Sequence, residues 1–400
     1  MQKRLALAAA VTAVLISTCA FATPALAAPA RWLGLYVPGS PSSMAPLTTA
    51  ENQVGSRAAV VNFFVSDSEA FPAPRCGNVD AAGAIPLVTL EFWSTQTGGL
   101  SSITNGSHDA YLKSFAAAAK AYGRPVWLRP FHEMNGNWYP WGTVTGNTPA
   151  KLIAAYRHVH DVFAAAGATN VKFVWCPNVD FNVSSFYPGN AYVDYAAIDG
   201  YNNGAPWRSF ASIFNPTYDA VAAVSSKPIF VAETSSVEGG SGKAAWIKAM
   251  FSTIATRDTR IVGVCWFNAA LTYDWRVNTS ASSVAALNSG FSSAAYRDFV
   301  APTPVASSLS IKTSVKSVKR KHAIRVSGTL KPGRSGSSVR ITVSIPKHAA
   351  SSRRVTTTSS GAWSFKYTPT VRGTYHLRVT FGGDSTRRAS SSKTIKLVVK

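Results

Sequence analysis

Eight short and almost uninterrupted apolar runs in the first 300 residues constrain the fold of this chain most strongly. They begin at Trp32, Ala58, Ile85, Pro125, Val171, Tyr195, Lys227 and Ile261. Such runs are typical of parallel strands buried on both faces. Segments with helical spacing lie between them, at 108–122, 149–165 and 241–255, and Thr148-Pro149 predicts a capped helix start. Strands and helices alternating in this way predict an α/β fold, a (β/α)8 TIM barrel.

The composition changes sharply after residue 300. Residues 301–400 hold 20 Lys and Arg against one acid, Asp384, whereas the first 300 residues hold 20 basic and 17 acidic residues. We place a barrel at 28–300, a linker at 301–306 and a second domain at 307–400. Short alternating runs there predict a small all-β sandwich, and GTYHLRVTFGGDS resembles bacterial immunoglobulin-like repeats.

The N-terminus has the layout of a secretory signal peptide. Lys3 and Arg4 precede an apolar stretch, and Ala25-Leu26-Ala27 supplies small residues for cleavage. We therefore expect residues 1–27 to be removed and the protein to be secreted and extracellular. The remaining cysteines are Cys76, Cys176 and Cys265. They are compatible with one disulfide plus one thiol, or with free thiols, of which Cys176 and Cys265 are buried as small hydrophobic residues.

The first candidate catalytic residue is Glu133, in the segment WLRPFHEMNGNWYPWG. It follows the end of an apolar strand and precedes a loop that holds Trp138 and Trp141. A carboxyl group walled by indoles is partly desolvated, which raises its pKa towards that of a general acid. The tryptophans also offer flat faces for pyranose rings. The alternative is that Glu133 simply pairs with Arg129 beneath it.

The second candidate is Glu233, at the end of the strand KPIFVAE. Two glutamates at the ends of different barrel strands can face each other across the mouth. Retaining glycosidases need such a pair about 5 Å apart, one as proton donor and one as nucleophile. A helix-capping role is the alternative for Glu233 taken alone.

Further polar and aromatic residues follow the other predicted strands, at the end of the barrel where active sites lie. They are candidate substrate-binding residues, although each alone is also compatible with a structural role: Trp93, Asn178, Asp199, Tyr201 and Trp266. From the segment that holds Glu133 we add Arg129 and Trp141 as candidate substrate-binding residues.

Three ordered motifs, RPFHEMNGNWYPWG, YPGNAYVDYAAIDGYN and VAETSS, resemble glycoside hydrolase family 26, best known for β-mannanases. The resemblance implies a retaining mechanism with Glu133 as acid/base and Glu233 as nucleophile. It also implies that His132 and Trp138 line the subsite where the bond breaks, that Tyr201 positions the nucleophile, and that Trp266 is an aromatic platform.

One departure from the family concerns the sugar. Mannanases of this family usually carry an early histidine that contacts the sugar, and none lies between Arg31 and Ser107. We predict an endo-acting hydrolase of β-1,4-mannan, with β-1,3/1,4-glucan or β-1,3-xylan as alternatives, and a carbohydrate-binding protein without turnover as a further one. We expect the segment Glu91-Phe92-Trp93 to take the place of the histidine, with Trp93 as the sugar contact. We expect no metal and no cofactor.

The basic domain predicts an anionic partner. A nucleic-acid module would pair its cations with stacking aromatic residues, which are few here, so we expect no nucleic acid. An anionic cell-wall or surface polymer bound through residues 307–400, retaining the protein at the cell surface, is one interpretation. A solvated spacer is the other.

Overall fold

The computed structural model describes residues 31–143, 146–240, 242–293, 306–333, 336–345, 348–358, 360–383 and 387–400. The predicted signal peptide lies outside them, and so does the predicted linker up to residue 305. In this part of the chain no helix is long and apolar enough to cross a membrane.

Eight parallel strands close into a barrel, with β1 paired to β8. The predicted (β/α)8 fold is confirmed. All eight predicted runs form strands: β1 (Trp32–Tyr36), β2 (Val60–Ser66), β3 (Ile85–Glu91), β4 (Val126–Pro130), β5 (Val171–Trp175), β6 (Tyr195–Asn202), β7 (Ile229–Ser236) and β8 (Ile261–Phe267).

Helices connect these strands. The three predicted helices are present, and Thr148 caps the second of them by accepting the amide of Lys151 at 3.3 Å. One helix that the spacing did not predict carries Pro216 in its interior, which interrupts the helical signal. The helices are α1 (Ala45–Val54), α2 (Ala73–Ala81), α3 (Thr95–Gly98), α4 (Ser101–Thr104), α5 (Asp109–Tyr122), α6 (Pro149–Ala166), α7 (Phe210–Val224), α8 (Lys243–Thr256) and α9 (Ala281–Phe291).

The barrel interior is layered because alternate residues of each strand point inward. The layer nearest the strand starts is apolar and includes Val60, Leu87, Trp127, Ala197, Phe230 and Cys265. Two residues further along the same strands a buried polar layer follows, formed by Asn62, Thr89, Arg129 and Asp199. The next inward positions lie at the carboxyl ends of the strands, and the site is built there.

The C-terminal region is all-β, with two sheets that share one core of its own. β14 was not predicted because its residues are almost all exposed and lack apolar alternation. The strands are β9 (Ser308–Leu309), β10 (Lys312–Thr313), β11 (Ser317–Val318), β12 (Ile324–Lys331), β13 (Ser338–Ser344), β14 (Ser351–Thr356), β15 (Ala362–Tyr367), β16 (Gly373–Phe381), β17 (Ser390–Ser391) and β18 (Ile395–Val399). The immunoglobulin-like resemblance and the domain boundaries stay predictions.

The cysteines form no disulfide in the part of the chain that the structure describes. All three are buried free thiols, so of the two alternatives the structure has the second: Cys76, Cys176 and Cys265.

Candidate active site

Glu133 lies just after β4, in the left-handed backbone region with a φ of 53°. Its amide donates to the carbonyl of Cys176 at 2.8 Å, which fixes this strained turn against the end of β5. The residue is 7% exposed, and its carboxyl group accepts from Trp138 Nε1 at 2.7 Å and from Asn178 Nδ2 at 2.6 Å. Burial, and then the charge of Glu233, raises the pKa of Glu133 to about 7. This carboxyl group can therefore carry a proton near neutral pH.

Glu233 reaches the barrel interior through a β-bulge in β7. Ile198 pairs with Val231, but Asp199 pairs with Glu233, which leaves Ala232 as an extra residue. The bulge shifts the alternation of β7, so the Glu233 side chain joins the inward-pointing Asp199 rather than facing the helices. The strand thus delivers a carboxylate to the mouth of the barrel.

Three donors hold the Glu233 carboxylate. Arg129 Nη2 donates to Oε1, with Asn62 Nδ2 at 3.4 Å from the same oxygen. The Tyr201 hydroxyl donates to Oε2 at 2.5 Å. A guanidinium and two neutral donors fit an ionised carboxylate, in contrast to the two neutral donors around Glu133.

Arg129 lies beneath the site and forms hydrogen bonds with several of its buried polar residues. Its Nη1 lies 3.0 Å from Asp199 Oδ1 and 2.8 Å from Oδ2, and its Nε donates to Thr89 Oγ1 at 2.9 Å. Thr89 in turn donates to Asn62 Oδ1 at 2.8 Å. Burial lowers the pKa of Arg129, but Asp199 and Glu233 raise it to a value well above the ordinary one. The guanidinium therefore stays charged, and it neutralises part of the acidic charge below the mouth.

His132 is buried beside the acid. Its Nε2 lies 3.1 Å from the Tyr139 hydroxyl, and Trp141 Nε1 donates to its carbonyl at 2.8 Å. Burial, and then the charge of Arg129, holds the pKa of His132 well below its usual value, so the ring is neutral. Its Nδ1 has no hydrogen-bond partner among the described residues.

Exposed rings follow β3 and β4 at the mouth of the barrel. Trp138 is 43% exposed, and its ring lies edge-on to the exposed Phe181 at 5.4 Å. Trp93, after β3, is 42% exposed and packs edge-on against Tyr139 and Trp141. These indoles can stack on pyranose rings.

A third aromatic group follows β8. Trp275 stacks on Tyr201 with ring centroids 4.4 Å apart, and the exposed Tyr273 lies 5.6 Å from Trp275. Tyr36 and Phe267 stack on each other with ring centroids 4.2 Å apart, and Phe267 lies edge-on to Tyr201. Rings therefore surround the two glutamates on several sides.

Comparison with known proteins agrees with this site. Residues 108–291, which include both glutamates, match the family described as Glycosyl hydrolase family 26. The chain is also 37% identical over 302 residues to Endoglucanase H of Acetivibrio thermocellus, which covers 72% of this chain and 33% of that protein. The part of the chain that holds both glutamates, residues 108–291, therefore has the sequence pattern of glycoside hydrolase family 26.

Two other similarities extend the comparison. A Mannan endo-1,4-beta-mannosidase of Bacillus subtilis is 37% identical over 87 residues, 20% of this chain and 24% of that protein. An endo-beta-1,4-mannanase structure from Cellulomonas fimi covers 92% of this chain and 94% of its own, with a TM-score of 0.53 and 18% identity. At this identity the structural likeness concerns the fold. The chain spans a third or less of the length of both sequence relatives.

The family 26 site corrects four of the predicted sugar contacts, because these side chains are wholly buried. Trp266 donates to the Trp275 carbonyl at 3.1 Å, so it supports the rim and is not itself a platform. Trp141 stacks on Tyr139. The other two buried residues, Arg129 and Asp199, position Glu233. The alternative pairing of Glu133 with Arg129 is also wrong, since the guanidinium binds Asp199 and Glu233.

The other predicted residues of the family 26 site do come together. Trp138 and Asn178 contact Glu133, Tyr201 contacts Glu233, and His132 lies below Tyr139. Their roles towards a sugar stay predictions.

Several site residues were missed. The polar Asn62 inside the apolar run VVNFFV was a signal that strand alternation could have used. Trp275 lies in a loop without periodic pattern. Among the described residues, those missed are Tyr36, Asn62, Phe64, Thr89, Phe267 and Trp275. No cluster of three or more metal-ligating side chains occurs within the described residues.

Proposed function

We propose that the barrel is a retaining endo-hydrolase of a β-linked polysaccharide, with Glu133 as acid/base and Glu233 as nucleophile. The observation that carries the proposal is the contrast between the two carboxyl groups. Burial raises the pKa of Glu133 to about 7, whereas Arg129 and Tyr201 hold Glu233 by charge-assisted hydrogen bonds. Carboxyl groups in opposite environments at one site are the arrangement that assigns an acid and a nucleophile.

The reaction has two displacements. Glu133 gives its proton to the glycosidic oxygen while a Glu233 oxygen attacks the anomeric carbon, so the bond to the leaving sugar breaks as the glycosyl-enzyme ester forms. Glu133, now ionised, takes a proton from water. That water attacks the anomeric carbon and releases Glu233. Arg129 and Tyr201 stabilise the Glu233 carboxylate when it is regenerated.

The distribution of exposed rings supports endo action. Trp93, Trp138 and Tyr273 follow three different strands, so stacking surfaces extend beyond a single sugar position. A cleft that holds several consecutive sugars binds the interior of a polymer.

For the backbone sugar we favour β-glucan, although the sequence alone led us to expect β-1,4-mannan. The similarity to a protein named an endoglucanase extends over 302 residues, whereas the similarity to the mannosidase covers 87. The absence of the early histidine also departs from the mannanase pattern. Mannan remains the second candidate, supported by the mannosidase match, and the predicted β-1,3-xylan alternative stays open.

The test is hydrolysis of barley β-glucan, glucomannan, galactomannan and β-1,3-xylan by wild type, Glu133→Ala and Glu233→Ala. Asp161→Asn, on the exposed face of α6, is the matched control. We expect activity on β-glucan, kept by the control and reduced by about 100-fold or more in each glutamate variant. With an aryl β-glycoside whose leaving group needs no protonation, azide should rescue Glu133→Ala with formation of a β-glycosyl azide. Turnover that survives either substitution would refute the assignment.

We further propose that the protein is secreted and that the C-terminal strands bind an anionic surface polymer. The proposed binding of an anionic polymer is supported by a pair of like-charged residues on each sheet: Arg340 opposite Arg354, and Arg325 opposite Lys366. All four side chains are exposed. Like charges directly across a strand pair repel each other, and a bound anion relieves that repulsion.

The partner proposal is tested in the full chain with Arg340→Ser/Arg354→Ser. Lys151→Ser/Lys248→Ser removes the same charge from exposed barrel helices and is the control. We expect only the first variant to lose binding to cell walls, and both to keep wild-type turnover of soluble substrate. Equal retention of both variants would support the spacer interpretation.

A further inference from the structure

A third carboxyl group lies at the mouth of the barrel. Leu87, Thr89 and Glu91 are alternate residues of β3, and the first two point into the barrel interior. Glu91 is the next inward position, at the carboxyl end of the strand. Its side chain is half-buried, and the two-step reaction does not use it.

Glu91 holds an exposed indole. Trp93 Nε1 donates to Glu91 Oε2 at 3.1 Å, while the Trp93 ring packs edge-on against Tyr139 at 5.8 Å and Trp141 at 5.4 Å. These contacts fix the Trp93 ring and leave 42% of the residue open to solvent. The other carboxylate oxygen, Oε1, makes no hydrogen bond within the part of the chain described.

Glu91 also lies within electrostatic range of the nucleophile. Burial raises the pKa of Glu91, the Trp93 hydrogen bond lowers it, and the charge of Glu233 raises it again. Both glutamates also raise the pKa of Tyr139 and of Tyr36, although burial is the main cause for each tyrosine. Glu91 and Glu233 therefore act on a common set of rings around the mouth.

We propose that Glu91 and Trp93 form a sugar subsite in which the Trp93 face stacks on a pyranose ring and Glu91 Oε1 accepts from its hydroxyl groups. This inference rests on the proposed hydrolase function and names the residue that selects the sugar. Glucose and mannose differ in the orientation of one hydroxyl group, and a buried acceptor placed for one orientation rejects the other. A carboxylate stands here in a chain that lacks the early histidine of the mannanases.

The subsite is tested with Glu91→Ala, Glu91→Gln and Trp93→Ala, beside Asp161→Asn as control. A hydrogen bond to a charged group supports an expected loss of about 10- to 100-fold in kcat/KM on barley β-glucan for Glu91→Ala. We expect a smaller loss on glucomannan, so the glucan-to-glucomannan ratio should fall at least about fivefold. Glu91→Gln keeps an oxygen for Trp93 and should lie between wild type and Glu91→Ala.

Binding provides a readout that does not depend on turnover. In a Glu133→Gln background, cellotetraose affinity is measured by titration calorimetry with and without Glu91→Ala. We expect about a tenfold weaker affinity on removal of Glu91. Unchanged affinity together with an unchanged substrate ratio would overturn the subsite. Failure of the wild type on every polysaccharide would instead refute the hydrolase, while the calorimetry would still report on Glu91.

Discussion

The indole Nε1 of Trp138 lies 2.7 Å from Oε2 of Glu133, so an exposed ring on the rim is bonded directly to the proposed acid/base. This hydrogen bond favours the ionised carboxylate and lowers the pKa of Glu133, against the larger effect of burial. The same residue can therefore stack on a sugar and adjust the acid that protonates the leaving group.

Replacing Trp138 with Phe should shift the pH dependence of the enzyme. Loss of the donor raises the pKa of Glu133 above about 7. The acid must be protonated in the first step, so the alkaline limb of kcat/KM should move to higher pH. Phe181→Leu, which alters only the neighbouring ring, should leave the limb in place. A limb that moves to lower pH in Trp138→Phe would contradict this account.

Replacing Tyr201 with Phe should mainly affect kcat. The hydroxyl donates to Glu233 Oε2, so its removal disturbs the nucleophile while the ring stack on Trp275 is kept. We expect kcat to fall about 10- to 1000-fold with a similar melting temperature. Tyr273→Phe removes a hydroxyl from an exposed rim tyrosine and is the control. Equal kinetics of the two variants would argue against a positioning role for Tyr201.

Replacing Arg129 with Met should destabilise the fold itself. The substitution leaves the buried Asp199 and Glu233 without their cation. Removing one partner of a buried ion pair costs about 3–5 kcal/mol, which urea unfolding measures. Addition of Asp199→Asn should restore part of the stability, because one of the unpaired charges is then absent. A single variant as stable as wild type would show that the network contributes little.

Replacing Trp275 with Ala should weaken polymer binding, whereas the sequence pointed to Trp266. Trp275 is part of the rim, and Trp266 is buried beneath it. We expect a raised KM on β-glucan for Trp275→Ala with a near-wild-type melting temperature. Trp266→Ala should instead lower the melting temperature, because it opens a cavity in the core. A raised KM for Trp266→Ala together with a lowered melting temperature for Trp275→Ala would instead support Trp266 as the aromatic platform.

The sequence predicted the barrel, the position of Glu133 and the strand that carries Glu233, because these depend on local order. Each apolar run is a strand, and the residue that follows its end lies at the mouth. Glu133 and Trp138 share one loop, so their proximity was visible in the chain.

Burial and long-range pairing were not visible. Trp266 lies near the end of β8 and Trp275 lies in the loop after it. Only the packing shows which of the two rings is buried. The partner of Arg129 depends on the bulge at Ala232, which turns Glu233 inward and has no signature in the sequence. The edge strand β14 lacks the apolar alternation on which strand prediction relies.

The most direct test of the central claim is to trap the covalent intermediate. A 2-deoxy-2-fluoro cellobioside with a good leaving group should form a stable glycosyl-enzyme, because fluorine slows both displacements while the good leaving group restores the rate of the first one only. Peptide mapping by mass spectrometry then locates the added glycosyl group. We predict that it lies on Glu233 and that Glu233→Ala is not labelled. A label on Glu133, or an active enzyme that releases products of inverted configuration, would contradict the account.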